Sequence, residues 1–140
     1  MALPTKIALE IVTPDRALVR EEVDEVQVPG SEGYLGILPG HTPLLATLAV
    51  GELWYRKGTE KVYLAILGGF VEVLPDRVTI LAHTAELAQD IDVTRADTAK
   101  RRAEDRLSKP TLDIDMERAR LAMLRSLIRL QVASRARTRV

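Results

Sequence analysis

Cysteine is absent from the 140-residue chain, which removes disulfides, thiolate metal sites and cysteine nucleophiles together. Aromatic residues make up only 4%, so the core must be aliphatic, and base stacking on nucleic acid lacks its usual platforms. Histidine occurs twice, at His41 and His83, too few for most metal centres, and no metal site is expected. No apolar run reaches the roughly 20 residues that a membrane-spanning helix needs. The opening MALPTKIALE lacks the apolar stretch of a signal peptide. There is no G-x-x-x-x-G-K-[ST] phosphate loop, no H-E-x-x-H and no G-x-S-x-G, and the carboxylates form no recognisable acid/base pair. These absences lead to the expectation of a soluble, cytoplasmic, non-catalytic chain with no catalytic residues and no required cofactor.

What is present is an aliphatic chain with 46% hydrophobic residues, enough for one domain, or one domain with a small appendage. Formal net charge is zero, but the zero hides a split. Residues 1–90 carry seven basic and thirteen acidic side chains, whereas residues 91–140 carry thirteen basic and seven acidic. A basic half of this kind seeks an anion: a phosphate, nucleic acid, an acidic membrane face or an acidic protein loop.

Up to about Ala82 the chain reads as short β-type runs punctuated by Gly, Pro and Asp: IALEIVTP, VDEVQVPG, GYLGIL, LLATL, ELWYRKG, KVYLAIL, FVEVLPD and RVTILA. RKGTEK and Pro75-Asp76 read as hairpin turns. Runs this short and this regularly spaced predict a sandwich or barrel. After Ile91 the period changes from 2 to 3.6. Ala96, Ala99, Ala103 and Leu107 form one stripe of a helix that ends at Ser108-Lys109-Pro110. A second helix is expected from near Asp113 or Asp115 to about Arg135, with Ile114, Leu121, Leu124, Ile128 and Val132 as its buried stripe. The two form a helical hairpin. Its alanine seam buries little apolar area, so at roughly 25 cal/mol per Å2 the hairpin is held closed only weakly.

Three features each admit a structural and a functional reading. Residues 33–45, GYLGILPGHTPLL, are either tight turns between strands, with His41 bonded to nearby backbone, or a shaped docking loop. Arg95, Arg102 and Arg106 flank the first helical stripe, and Arg118, Arg125 and Arg129 flank the second. These rows either spread into solvent or converge to hold a polyanion. Asp92 is an ordinary helix cap, and its carboxylate is also able to accept from an adenine amino group. Gly68-Gly69 marks a bulge or a close backbone approach.

The order of these motifs resembles the epsilon subunit of the bacterial F-type ATP synthase. GSEGYLGILPGHTPLL is similar to that family's loop signature, GGFVEV to a later strand signature, and IDVTRA to its nucleotide motif I/L-D-x-x-R-A. The resemblance spans essentially the whole chain. It implies an α+β fold: a flattened β-sandwich of about ten strands over residues 1–87, then a two-helix antiparallel hairpin over residues 88–140. It implies docking of the sandwich on the gamma subunit and the c-subunit ring through Tyr34, Leu38, His41 and Pro43. At Tyr34 the chain departs from an acidic residue common in the family, and an aromatic there would act by packing. The hairpin, when extended, would meet the alpha and beta subunits and inhibit ATP hydrolysis. When folded it would bind ATP as a regulatory ligand through Glu86, Ile91, Asp92, Arg95, Ala96, Arg118, Arg125 and Arg129, with Arg102 nearby. The resemblance places the chain peripherally on the cytoplasmic face of a bacterial membrane, in touch with the bilayer only indirectly. Two other readings stand beside it: a nucleic-acid binder using the basic helices, and a nucleotide-sensing adaptor with a different partner.

Overall fold

The computed structural model describes residues 3–137, excluding the side chain of Arg137. The chain divides into two compact units, the first ending at Leu87 and the second beginning at Ala88.

The first unit contains eight strands: β1 (Ile7–Val12), β2 (Ala17–Val23), β3 (Glu25–Gly30), β4 (Gly33–Ile37), β5 (Leu44–Lys57), β6 (Glu60–Leu74), β7 (Arg77–Ala82) and β8 (Ala85–Leu87). They hydrogen-bond in the order β2-β1-β7-β6-β5-β3-β4, with β8 beside β6. The sheet folds over on itself, so Ile7, Leu9, Ile11, Val26, Leu53, Leu64, Val71 and Ile80 meet in one aliphatic core. β1 and β7 run parallel; the other pairings are antiparallel.

The count is eight strands, not the expected ten or so, for a physical reason. LLATL and ELWYRKG are one strand, β5, and KVYLAIL and FVEVLPD are one strand, β6. Each is long enough to serve both layers. The β5–β6 ladder keeps one register from Leu44–Val73 to Lys57–Glu60 and lapses only at Ala49 and Gly68. Across that point the buried parity of β6 switches from Leu64 and Ile66 to Val71 and Val73. Gly68 and Gly69 make the switch, with φ of 86° and 137°, angles that only glycine adopts without strain. A Cβ on Gly69 would sit 2.2 Å from the Leu81 carbonyl oxygen. Of the two sequence readings, close backbone approach is therefore the correct one.

β2 is a strand that the pattern ALVREEV conceals. Only Val19 and Val23 enter the core, and Glu21 stands between them at the same parity. Its carboxylate pairs with Lys57 at 3.5 Å and hydrogen-bonds the Tyr55 hydroxyl; burial first, and this bond second, push the Tyr55 phenol well above its ordinary range. The adjoining corner is pinned by charge. Asp24 pairs with Lys6, accepts from the Gly58 N–H at 2.6 Å and lies 3.9 Å from Arg56. Arg56 also pairs with Glu25 at 3.1 Å. The Lys6 hydrogen bond, reinforced by Gly58, holds the Asp24 carboxyl below its usual value.

The second unit opens with one 3-10 turn, Ala88–Asp90, followed by α1 (Val93–Ser108) and α2 (Met116–Arg137). α1 ends where the sequence predicts. Asp115 caps α2, its Oδ1 accepting from the Arg118 N–H at 3.1 Å. The two helices pack on each other, and the 3-10 turn packs on α2. The expected face of α2 is right at Val132, half-buried at Ile114 and Ile128, and wrong at Leu121 and Leu124. Its buried residues are Ala119, Ser126, Val132 and Ala133, whereas Leu121 and Leu124 are 39% and 41% exposed. Close helix approach selects small side chains, and α1 likewise buries Ala96 and Ala103.

Candidate functional site

The first unit presents two adjoining features. The chain between β4 and β5 is fastened by backbone: the Gly40 N–H donates to the Pro75 carbonyl at 2.7 Å, and the His41 N–H to the Leu38 carbonyl at 3.2 Å. The His41 ring donates from Nδ1 to the Thr42 carbonyl at 2.6 Å, which is the local backbone bond that the structural reading of the loop describes. The β3–β4 turn is clasped to β5 by the Ser31 N–H on the Thr47 carbonyl, 2.9 Å, and by a bond between the Ser31 and Thr47 hydroxyls. Between turn and strand lies a cleft of about 500 Å3 whose lining mixes Tyr34, Leu35, Leu44, Leu45 and Ala46 with the polar Ser31, Glu32 and Thr47.

The loop holds Leu38 and Pro43 exposed, and Leu45 is 75% exposed. Sequence reasoning missed the continuation of this apolar surface. Thr47 faces Phe70, which faces Leu81, so Leu45, Phe70 and Leu81 share the outer side of three neighbouring strands. Phe70 and Leu81 are about half exposed, and His83 meets the Phe70 ring edge-on at 6.4 Å. The signal was available: a large apolar residue at the outward position of an otherwise alternating strand, as in FVEV and VTILA.

The second unit carries the charge. Asp92 is the N-cap of α1 and accepts from the Arg95 N–H at 3.1 Å, while Ile91 and Ala96 beside it are buried. Arg95, Arg102 and Arg106 directly precede Ala96, Ala103 and Leu107; Arg118, Arg125 and Arg129 directly precede Ala119, Ser126 and Leu130. Each row therefore keeps the same rotational offset from its own inward face. In an antiparallel pair, equal offsets fall on the same margin. Among the described residues, the ion pairs Arg101–Asp97 (3.0 Å), Lys100–Glu104 (3.7 Å), Lys109–Asp105 (3.2 Å) and Arg120–Glu117 (3.6 Å) use none of Arg95, Arg102, Arg106, Arg118 and Arg125. Arg129 is engaged elsewhere. Glu86 belongs to the first unit, partly buried in β8 and itself engaged. Among the described residues no group of three or more His, Asp or Glu could hold a metal ion, and no helix is long and apolar enough to cross a membrane.

The architecture defines the class first: a β-sandwich unit followed in sequence by a separate helical-hairpin unit. Residues 6–88 match the family model of the ATP synthase delta/epsilon chain β-sandwich domain, and residues 89–134 match that of its long α-helix domain. The chain belongs to the ATP synthase delta/epsilon family. It is 46% identical over 133 residues to the ATP synthase epsilon chain of Solibacter usitatus, covering 95% of this chain and 99% of that one. Against the epsilon chain of Herpetosiphon aurantiacus it is 51% identical, covering 95% and 98%. Among solved structures it is similar to a chain of the Euglena gracilis mitochondrial ATP synthase, OSCP/F1/c-ring, with TM-score 0.82, 25% identity and coverage of 96% and 84%. A chain from the central stalk and c-ring of the Tetrahymena thermophila enzyme shares the fold at TM-score 0.59 and 17% identity, covering 98% of this chain and all of that one.

Proposed function

We propose that the chain is a non-catalytic central-stalk subunit of an F-type ATP synthase. Its sandwich docks on gamma and the c-ring, and its hairpin regulates ATP hydrolysis. The epsilon-chain relatives and the central-stalk likeness support the stalk role. The exposed Leu45, Phe70 and Leu81 on the outer side of β5, β6 and β7, with Leu45 also lining the cleft beside Tyr34, support the docking role, because exposed large apolar groups that cluster on one face mark interaction surfaces. In the assembly this holds the chain peripherally at the cytoplasmic face of a proton-translocating membrane, with no bilayer contact of its own.

The observation that carries the regulatory half is the coincidence of two arginine rows on one margin of the hairpin, beside the Asp92 cap. Guanidinium groups brought together repel one another and favour a bound polyphosphate. ATP fits the arrangement: its phosphates meet Arg95, Arg118, Arg125 and Arg129, with Arg102 alongside. Its base lies near Ile91 and Ala96, where Asp92 accepts from the amino group. Without ATP the small-residue seam opens, and the freed arginines meet acidic loops of the alpha and beta subunits. One set of charges then has two competing anionic partners, and each ligand shifts the population toward the state it binds. The nucleic-acid reading is not favoured, since no aromatic residue lies in the basic segment.

Calorimetric titration with ATP, with and without Mg2+, tests this. Saturable heat that disappears in Arg125→Ala and Asp92→Ala, with helix content preserved by circular dichroism, is the expected result. No heat up to millimolar ATP reduces Asp92 to a cap worth about 1 kcal/mol and leaves the arginines to the catalytic head.

A further inference from the structure

α1 has 16 residues and α2 has 22. Both leave the turn that joins them, at Ser108 and Met116, and both rise about 1.5 Å per residue. Counted away from that turn, Val93, the first residue of α1, comes level with Gln131. α2 therefore runs on past the end of its partner, and Val132 and Ala133 lie level with Asp92 and Ile91. Yet Val132 and Ala133 are buried, and what the hairpin unit offers at that height is the segment Ala88–Ile91. Its 3-10 turn packs on α2. Three residues per turn bring the side chains at i and i+3 to one side. Accordingly Ala88 and Ile91 are both buried, whereas Gln89 and Asp90 between them are exposed. The Ile91 N–H closes the turn on the Ala88 carbonyl at 3.5 Å. Asp92 follows in an extended conformation, φ −77° and ψ 96°, so the turn is no prolongation of α1 and is free to cross to α2.

We propose that Ala88 and Ile91 are a clasp on the free end of the hairpin, closing over Val132 and Ala133, and that α2 parts from α1 only after the clasp releases. The inference deepens the regulatory reading above and rests on its opening hairpin. Two helices joined at one end separate first at the other, because displacement grows with distance from the joint. The free end lies roughly 24 Å from the turn, at 1.5 Å for each residue of α1. The distribution of apolar side chains matches that lever. Among the described residues of this unit that are buried, Ile91 and Val132 alone are branched aliphatics; the others are alanines and Ser126. Each alanine hides one methyl group, so the larger apolar areas that hold the hairpin shut sit where opening begins.

The chain has no cysteine, so a pair added at the exposed Thr94 and Gln131, as Thr94→Cys and Gln131→Cys, carries spin labels at unique positions across the free end. Dipolar spectroscopy on the full chain without nucleotide then reads the separation of the helices. Expected is a larger long-distance population in Ile91→Ala than in the labelled parent, and the parent's distribution in Ile91→Leu. Amide exchange over residues 131–135 should quicken about tenfold or more in Ile91→Ala, with exchange at Val71 and Ile80 of the sandwich core unchanged. Equal distance distributions in Ile91→Ala and the parent overturn the inference. So does a uniform loss of protection along both helices, which would make Ile91 a general packing residue and not a clasp. ATP hydrolysis by the reconstituted complex separates this inference from the reading it rests on. Opening in Ile91→Ala with hydrolysis unchanged leaves the clasp standing and ends the regulatory role.

Discussion

Gly69 and Asp24 show how single residues set local geometry in opposite ways. Gly69 works by having no side chain: with φ at 137° and the Leu81 carbonyl 2.2 Å from where a Cβ would lie, any substitution strains the backbone and collides with β7. Gly69→Ala is expected to cost on the order of 3 kcal/mol or more, measured by urea unfolding; a change under about 1 kcal/mol would mean the strands part without penalty. Asp24 works by charge. Its folded pKa is depressed by Lys6 and Gly58, so its contribution is fully present above the ordinary aspartate value of 3.8 and is lost as pH falls through the lower folded value. Wild type should therefore lose stability between pH 5 and acid more steeply than Asp24→Asn, which has no proton to take up there. Parallel melting curves of the two proteins over that range would refute the assignment.

The helices teach a lesson about choosing among apolar residues. α2 is apolar around most of its circumference, so the leucines at helical spacing predict a face that the structure leaves half open. Alanine and serine lie inward because two helices approach closely only where side chains are small. A seam built this way has no room for growth. Ala103→Leu should destabilise the hairpin by about 1–3 kcal/mol through overpacking, read as lost helix content on heating while the β signal persists. An unchanged or raised helix melting temperature would show that the seam contains slack. Among the strands the reverse error occurs. β2 hides in the pattern because Glu21, exposed but at the parity of Val19 and Val23, breaks the apolar alternation where it meets the Tyr55 hydroxyl and Lys57.

For the whole molecule, the division after Leu87 agrees with the makeup of the principal core, whose members all precede residue 88. A chain ending at Leu87 is expected to unfold in urea as one cooperative transition with native β-sheet content. A broad, non-cooperative loss would mean that the sandwich needs the residues that follow it. The change of charge sign falls close to the same division, so an acidic β unit is followed by a basic helical one.

By itself the sequence determined the β-then-α order, the capped start of α1 at Asp92, the special backbone at the glycine pair and the two arginine rows, because each depends on local residue type and spacing. Only the tertiary structure decided that four apparent strands are two, that alanines and not leucines lie inward on α2, and that Leu45, Phe70 and Leu81 share one outer side. Those outcomes depend on which residues from distant parts of the chain come within van der Waals or hydrogen-bond distance, and one-dimensional spacing does not encode that.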